Sequence, residues 1–223
     1  FLPRIAGHKQ GVDALKRIVA ACPDRGIDTL TVFAFSSENW NPPADEVSGL
    51  MDILAMALTR EVPKLLRDGV RIRFVGAREN LSARVKAGLV DAEFSTRGNT
   101  LLNLNVCFNY GGRWDIATAA ASLAASAVPI TEASLSGALA LAHCADPDLL
   151  IRTGNEKRLS NFLLWQAAHS EPCFRELLWP DFDAAALDAA LLEYASRERR
   201  FGKTPDQVAG DPGAISRIKG PHA

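Results

Sequence analysis

The sequence predicts an α/β protein that folds as a single domain, with a central, mostly parallel sheet flanked by helices. The chain has 223 residues, of which 48% are hydrophobic, so it is long enough to bury one sizeable core. Runs rich in β-branched and aromatic residues alternate with helical patterns, as they do in parallel βα units. No internal repeat and no linker divides the chain.

The elements follow from hydrophobic periodicity and from turn residues between the periodic runs. The predicted strands are 28–35, 70–75, 101–108 and 148–151. The predicted helices are 11–21, 46–67, 81–94, 114–127, 131–141, 161–168 and 184–198. We expect Asp181 or Asp183 to cap the last helix. We assign residues 1–202 to the domain and 203–223, rich in glycine and proline, to a loose tail.

The helix predicted over 46–67 is apolar nearly all round, which indicates burial on both sides. One interpretation is a central core helix. The other is a helix with one face on the sheet and the other lining an apolar tunnel. Pro63 should bend this helix near its end.

Charge and composition exclude several classes of protein. The formal net charge is −1, so no overall basic field attracts nucleic acid. The four cysteines lie far apart from one another and the four histidines are scattered, which argues against zinc and favours free thiols in a reducing compartment. No run approaches the ~18 apolar residues of a membrane span, and the start is not a signal peptide. We therefore expect a cytoplasmic protein.

Three polar segments follow predicted strands. They are FSSENWN (35–41), NYGGRWD (109–115) and RTGNEKRLSN (152–161). Ligands of open α/β sheets bind just beyond the carboxyl ends of strands. Their shared position therefore predicts one common site, and it is a better signal than any one segment.

The third segment has the chemistry of an anion site. Arginine presents a planar fork of donors that fits phosphate oxygens two at a time. We expect Arg152, Arg158 and the Ser160 hydroxyl to bind an anion, together with backbone N–H groups at the start of the predicted helix 161–168. A diphosphate suits this set better than a single carboxylate. A solvated charged loop is the alternative.

Other polar residues carry weaker signals. Residues 36–40 suit an N-cap and turn as well as a binding site, and Asn39 alone is weak evidence for catalysis. His8 lies at a predicted helix start, where a cap or surface role is the alternative to a phosphate contact. Glu171 is a carboxylate that could bind Mg²⁺, a cation that takes one or two carboxylates plus substrate phosphates.

Together these segments resemble the cis-prenyltransferase family, and its bacterial undecaprenyl diphosphate synthase members most closely. The motifs that carry the resemblance, in the family's order and spacing over about residues 1–202, are GHKQG, FAFSSENW, NYGGRWDI, DLLIRTG, RLSNFLLWQ, LWPDF and SRERRFG. The resemblance implies condensation of isopentenyl diphosphate onto an allylic diphosphate, usually farnesyl diphosphate, with new cis double bonds. It also implies a central, mostly parallel six-stranded sheet, Mg²⁺, a homodimer and a product tunnel beside the helix 46–67. A polyprenyl product would allow peripheral membrane contact.

The resemblance also implies roles for individual residues. The catalytic residues are Asn39, which is proposed to help remove the proton, with Arg152 and the Mg²⁺ ligand Glu171. Arg152, Arg158 and Ser160 bind the isopentenyl diphosphate group. The full substrate-binding set is Arg4, His8, Ser36, Ser37, Glu38, Trp40, Glu46, Arg152, Arg158, Leu159, Ser160, Arg200 and Gly202. In this family the R-x-G element of Arg200 and Gly202 reaches the partner subunit's site.

The sequence departs from the family at several points. The family's first strand and its aspartate-containing phosphate loop would lie upstream of Phe1. Pro42 replaces an arginine, Asn155 replaces a second glycine, and Phe108 is bulky enough to alter product length. A glycine site with φ > 0 would tolerate asparagine best. A non-catalytic partner subunit, a short-chain synthase and a generic α/β phosphate-binding module remain alternatives.

Overall fold

The computed structural model describes residues 4–36, 60–79 and 81–197, with side chains described from residue 10 onward. The helices are α1 (Arg4–Ala21), α2 (60–67, the described part), α3 (Ala83–Thr96), α4 (Gly112–Ala125), α5 (Glu132–Ala138) and α6 (Ala184–Ser196). The strands are β1 (Thr29–Ser36), β2 (Val70–Val75), β3 (Leu102–Tyr110), β4 (Leu149–Arg152) and β5 (Glu171–Phe174). Short 3₁₀ turns lie at Pro23–Arg25, Gln166–His169 and Trp179–Asp181.

All strand pairs of the described residues are parallel, which confirms the α/β class. β1, β3 and β2 form a sheet in that order, and β4 pairs with β5 in a second sheet. The predicted single six-stranded sheet is therefore wrong for the described part of the chain. The strand β5 was not predicted because it is only four residues long and begins with Glu171 and Pro172, which are poor strand formers.

The core explains how the two sheets stay together without a shared hydrogen-bond ladder. β3 is buried along nearly its whole length. One face of the first sheet packs against α1, α3 and α6. On the other face Val75 and Cys107 share a cluster with Leu150 of β4 and with Leu163. Side-chain burial therefore joins β4 to the larger sheet.

Hydrogen bonds from capping residues help to explain where several of the helices begin and end. Ser82 caps α3 by accepting a hydrogen bond from the Val85 N–H group. Asp183 caps α6 by accepting from the Ala186 N–H group at 2.9 Å, which confirms one of the two predicted caps. Asn99 donates its side-chain amide to the carbonyl of Leu66 at 3.1 Å, which satisfies the end of α2.

Three predicted boundaries are corrected by the structure. α1 begins at Arg4, so His8 lies inside a helix and not at its start. The predicted helix 161–168 is a series of turns that ends in the 3₁₀ segment Gln166–His169. Glu171 begins a strand instead of following an α-helix. Residues 60–67 are helical as predicted, while 46–59, and with them most of the proposed tunnel wall, lie outside the described residues.

Three of the four cysteines are buried, and Cys144 is half-buried. All four are free, as the sequence predicted. Burial raises the pKa of Cys22 to about 11. In the described part of the chain, we find no helix with both the length and the apolar character needed to cross a membrane.

Candidate active site

Two of the three polar segments, the second and the third, meet at the carboxyl ends of the strands, while residues 37–41 of the first lie outside the described residues. β1 and β3 end side by side, because Ser36 and Tyr110 are register partners. β4 ends at Arg152, where the third segment begins. This third segment contacts the second, since the Gly112 N–H group donates to the Asn161 carbonyl at 2.9 Å. The strand ends therefore bring the NYGGRWD and RTGNEKRLSN segments together.

Two left-handed residues shape the first half of the segment 152–161, which we call the arginine turn. Gly154 has φ 83° and Asn155 has φ 57°, so Asn155 occupies a conformation that asparagine tolerates better than most residues. The Gly154 N–H group donates to the Leu177 carbonyl at 2.8 Å, and the Asn155 N–H group donates to the Arg175 carbonyl at 3.0 Å. Backbone hydrogen bonds therefore hold this half of the turn against the chain that follows β5.

Arg152 and the second half of the turn present side-chain donors to solvent. Arg152 Nη1 donates to Ser160 Oγ at 3.1 Å, so these two predicted anion ligands lie together. Arg158 is 69% exposed and pairs with Glu156, with Nη1 to Oε2 at 2.8 Å. It therefore does not converge on Arg152 in this structure. Leu159 is also exposed. An exposed pair such as Arg158–Glu156 contributes only about 0–1 kcal/mol, so a phosphate can replace Glu156 at little cost.

Glu171 has a cationic partner that the sequence did not reveal. Arg197 Nη1 donates to Glu171 Oε2 at 3.1 Å and to the Pro172 carbonyl at 2.9 Å. Arg197 also pairs with Glu193, which binds Arg175 at 2.9 Å. The hydrogen bond that Arg197 donates to Glu171 is the main reason that the pKa of Arg197 is raised. No periodic pattern marks such pairs, because they join a strand to the end of a helix.

The described residues fit only one kind of metal site. No group of three or more His, Cys, Asp or Glu side chains lies together in residues 10–36, 60–79 and 81–197. Glu171 lies at the amino end of β5, opposite Leu149 and three register positions from Arg152, and it offers one carboxylate. That suits Mg²⁺, which takes most ligands from water and substrate phosphates, and it does not suit a zinc site made by the protein alone.

Asp115, in the NYGGRWD motif, organises the floor of the site. Its carboxylate is only 3% exposed. It accepts hydrogen bonds from the Tyr110 hydroxyl at 2.8 Å, the Gln166 side-chain amide at 3.1 Å and the Ala140 N–H group at 2.8 Å. Burial, together with the Asp115 charge, raises the pKa of Tyr110. Sequence reasoning assigned Asp115 no role, although an aspartate within an apolar helix start is the signal that could have found it.

Several predicted site residues cannot be placed. Ser37, Glu38, Asn39, Trp40, Glu46, Arg200 and Gly202 lie outside the described residues, as does Pro42. Arg4 and His8 belong to α1 by their backbone, and their side chains are outside the description. Ser36 is the last residue of β1.

A parallel α/β fold with arginine, serine and turn donors at strand ends defines a protein that binds a phosphorylated ligand. Comparison with protein families makes this more specific. Residues 1–202 match the Prenyltransf family model, described as "Putative undecaprenyl diphosphate synthase". The chain belongs to this family of prenyltransferases, which confirms the resemblance drawn from the motifs.

Individual relatives agree with the family match. The chain is 50% identical over 214 residues to an isoprenyl transferase of Nitrosomonas europaea, covering 94% of this chain and 81% of the relative. It is 48% identical over 218 residues to a ditrans,polycis-undecaprenyl-diphosphate synthase, (2E,6E)-farnesyl-diphosphate specific, of Pseudomonas aeruginosa, covering 95% and 87%.

Two solved structures share the fold at 34% identity. The first is a probable undecaprenyl diphosphate synthase from Campylobacter jejuni, with a TM-score of 0.81 over 87% of this chain and 93% of that chain. The second is lavandulyl diphosphate synthase from Lavandula x intermedia in complex with dimethylallyl diphosphate, with a TM-score of 0.85 over 89% of each chain. The fold is therefore common to proteins that bear different product names.

Proposed function

We propose that this protein condenses isopentenyl diphosphate repeatedly onto farnesyl diphosphate and makes undecaprenyl diphosphate, the carrier lipid for cell-wall synthesis. The observation that carries the proposal is the Arg152–Ser160 pair at the end of β4. It lies within the RTG and RLSN motifs of a chain about half identical to relatives named for this activity. Donors in this place suit a diphosphate group.

The arginine turn binds and orients isopentenyl diphosphate in this proposal. Arg152 and the Ser160 hydroxyl bind one phosphate, and Arg158 exchanges Glu156 for another phosphate oxygen. Fixing the diphosphate sets the position of the nucleophilic double bond, and such positioning lowers the barrier to reaction. Asn39 would assist proton removal.

A bound cation would act on the diphosphate group of the allylic substrate. Glu171 would supply one Mg²⁺ ligand, and Mg²⁺ when bound neutralises charge that builds on the departing diphosphate. An apolar tunnel beside the helix 46–67 would exclude water from the allylic cation. The remaining proposed contacts are Arg4, His8, residues 36–40, Glu46 and Leu159.

The assembly and the location of the protein follow from the same proposal. We infer a homodimer in which Arg200 and Gly202 complete the site of the partner subunit. A cytoplasmic location agrees with four free cysteines. A lipid product gives a reason for peripheral contact with the membrane.

The test is an incubation of full-length protein with farnesyl diphosphate, labelled isopentenyl diphosphate and Mg²⁺, with products resolved by chain length. A ladder that ends near one long species is expected. Arg152→Ala should lose most activity, while Arg84→Ala, which changes an exposed arginine on α3, should behave as wild type. Equal activity of these two variants would refute the role given to Arg152.

Alternative functions predict different products. The 34% identity to lavandulyl diphosphate synthase keeps a short-chain product open, and Phe108 would be the residue to examine. Phe108 is buried and packs against Phe35, with ring centroids 5.7 Å apart. A single short product would support this alternative. If full-length protein makes no product, a non-catalytic partner subunit is favoured. If prenyl diphosphates also fail to stabilise the protein, a generic phosphate-binding module is favoured instead.

A further inference from the structure

The first turn of α4 is capped by a residue from the arginine turn. Gly111, at the N-cap position, has no side chain that could accept a hydrogen bond. Instead the Gly112 N–H group donates to the Asn161 carbonyl at 2.9 Å, and the Arg113 N–H group donates to Asn161 Oδ1 at 2.9 Å. Asn161 therefore satisfies two donors at the start of a helix that begins 49 positions earlier, at Gly112.

The close approach of the two segments is built into the sequence at Gly112. A Cβ atom on Gly112 would lie 2.8 Å from Leu164 Cγ and 3.0 Å from the Leu164 backbone nitrogen. Only glycine lets the chain around Leu164 lie this close to α4. Both sides of the contact are thus shaped for it, since Gly112 provides space and Asn161 provides acceptors.

This contact bears directly on Ser160. Ser160 precedes Asn161 and has φ 56°, a left-handed conformation that costs roughly 1–2 kcal/mol in a residue with a Cβ atom. Such a conformation persists only where the surroundings hold it. The two hydrogen bonds to Asn161 fix the residue that follows Ser160, and Arg152 donates to the Ser160 hydroxyl. The first half of the turn has separate anchors at Gly154 and Asn155.

We propose that Asn161 is a positioning residue for the diphosphate of isopentenyl diphosphate. It ties the second half of the arginine turn to α4 and so keeps the Ser160 hydroxyl beside Arg152. The inference rests on the proposed function for the identity of the ligand. A purely structural cap is the competing explanation, and it predicts lost stability with unchanged ligand binding.

Three variants of the full-length protein separate the two explanations. Asn161→Ala removes the side-chain acceptor and should raise KM for isopentenyl diphosphate about tenfold or more, with a smaller change in kcat. Asn161→Ser keeps a neutral acceptor of the kind that caps helix starts, so it should bring KM part of the way back toward the wild-type value. The control Asn99→Ala removes a helix-capping asparagine next to α2 and should lower the melting temperature with KM unchanged.

A binding measurement makes the result independent of turnover. Calorimetric titration with inorganic pyrophosphate should show weaker binding for Asn161→Ala, by about the same factor as the KM change, and wild-type binding for Asn99→Ala. Unchanged KM and unchanged pyrophosphate affinity in Asn161→Ala would overturn the inference while leaving the proposed function intact. If wild-type protein makes no prenyl product, the proposed function fails, and the titration alone decides whether Asn161 positions the anion-binding turn.

Discussion

Replacing Asp115 by alanine tests whether one buried carboxylate holds the floor of the site together. The carboxylate is almost fully buried and accepts three hydrogen bonds, from the Tyr110 hydroxyl, the Gln166 amide and the Ala140 N–H group. Those donors belong to the end of β3, to the 3₁₀ segment after the arginine turn and to the turn that follows α5. We expect Asp115→Ala to loosen all of these elements from α4.

The size of the loss follows from the donors left without an acceptor. Each buried unsatisfied donor costs about 1–3 kcal/mol, although water that enters the gap recovers a part. Three donors give an expected loss of about 3–5 kcal/mol in the free energy of unfolding. For a chain of this size that corresponds to a melting temperature lower by roughly 10 °C. A loss of this size is a large part of the ~5–15 kcal/mol that stabilises a typical domain.

Urea unfolding, followed by tryptophan fluorescence, measures the effect. Asp183→Ala is the matched control, because it removes an exposed aspartate that caps α6 with one hydrogen bond and should cost only about 1 kcal/mol. Asp115→Asn should fall between them, since its amide nitrogen faces a donor of Gln166. If Asp115→Ala costs no more than Asp183→Ala, the three hydrogen bonds do not stabilise the fold as argued.

Three further predictions concern strain, packing and pH. Ser160→Gly should be more stable to urea than Ser160→Ala by about 1 kcal/mol, because glycine adopts φ 56° without strain. Both variants should raise KM for isopentenyl diphosphate. Equal stabilities would contradict the claim that the backbone of Ser160 is strained. Gly112→Ala should cost about 1–3 kcal/mol in urea unfolding, since its Cβ atom would press on Leu164, and an unchanged midpoint would contradict this. The folded-state pKa of Cys22 is about 11, which is above the unfolded value of about 8.5. The stability that the buried thiol contributes is therefore complete below about pH 8.5 and is lost as the pH rises toward 11. Cys22→Ala should flatten that part of the profile of urea stability against pH.

Strands with strong β-branched or aromatic composition could be predicted from the sequence. β2 runs over Val70–Val75, the same residues as predicted, and β3 ends two residues beyond its predicted limit. β3 lies in the middle of its sheet and is buried on both faces, while β2 lies beside it and alternates buried apolar residues with Arg71 and Arg73, so burial explains both compositions. Strand β5 could not be found in this way, because its pairing with β4 depends on the fold around it.

The helix predicted over 161–168 does not form, because another segment makes hydrogen bonds with polar groups of this stretch. The run at 161–168 has helical apolar spacing, but the Asn161 carbonyl accepts from Gly112. The close approach of Leu164 to α4 further constrains this stretch. A local pattern contains no information about a helix 49 positions earlier in the chain. Tertiary contact therefore overrode local propensity at this point.

The sequence predicted the chemical character of the candidate site better than the arrangement of its side chains. Arg152 and Ser160, predicted as ligands of one anion, lie in contact, and a left-handed Asn155 agrees with asparagine in place of glycine. The orientation of Arg158 toward Glu156 was not predicted, because a local ion pair depends on the path of the turn. The expected helix N-terminus at residue 161 is absent from the described structure, so backbone donors of that helix do not contribute.

The partners of the arginines indicate which of them are available to a ligand. Arg175 and Arg197 each bind a carboxylate that joins β5 to α6, so releasing them would weaken the fold. Arg152 bonds only a hydroxyl within the described residues, and Arg158 pairs with an exposed glutamate. The arginine turn is held by neutral backbone groups and by Asn161 instead. Because its cations take little part in holding the turn, they can bind a diphosphate without breaking the structure that positions them.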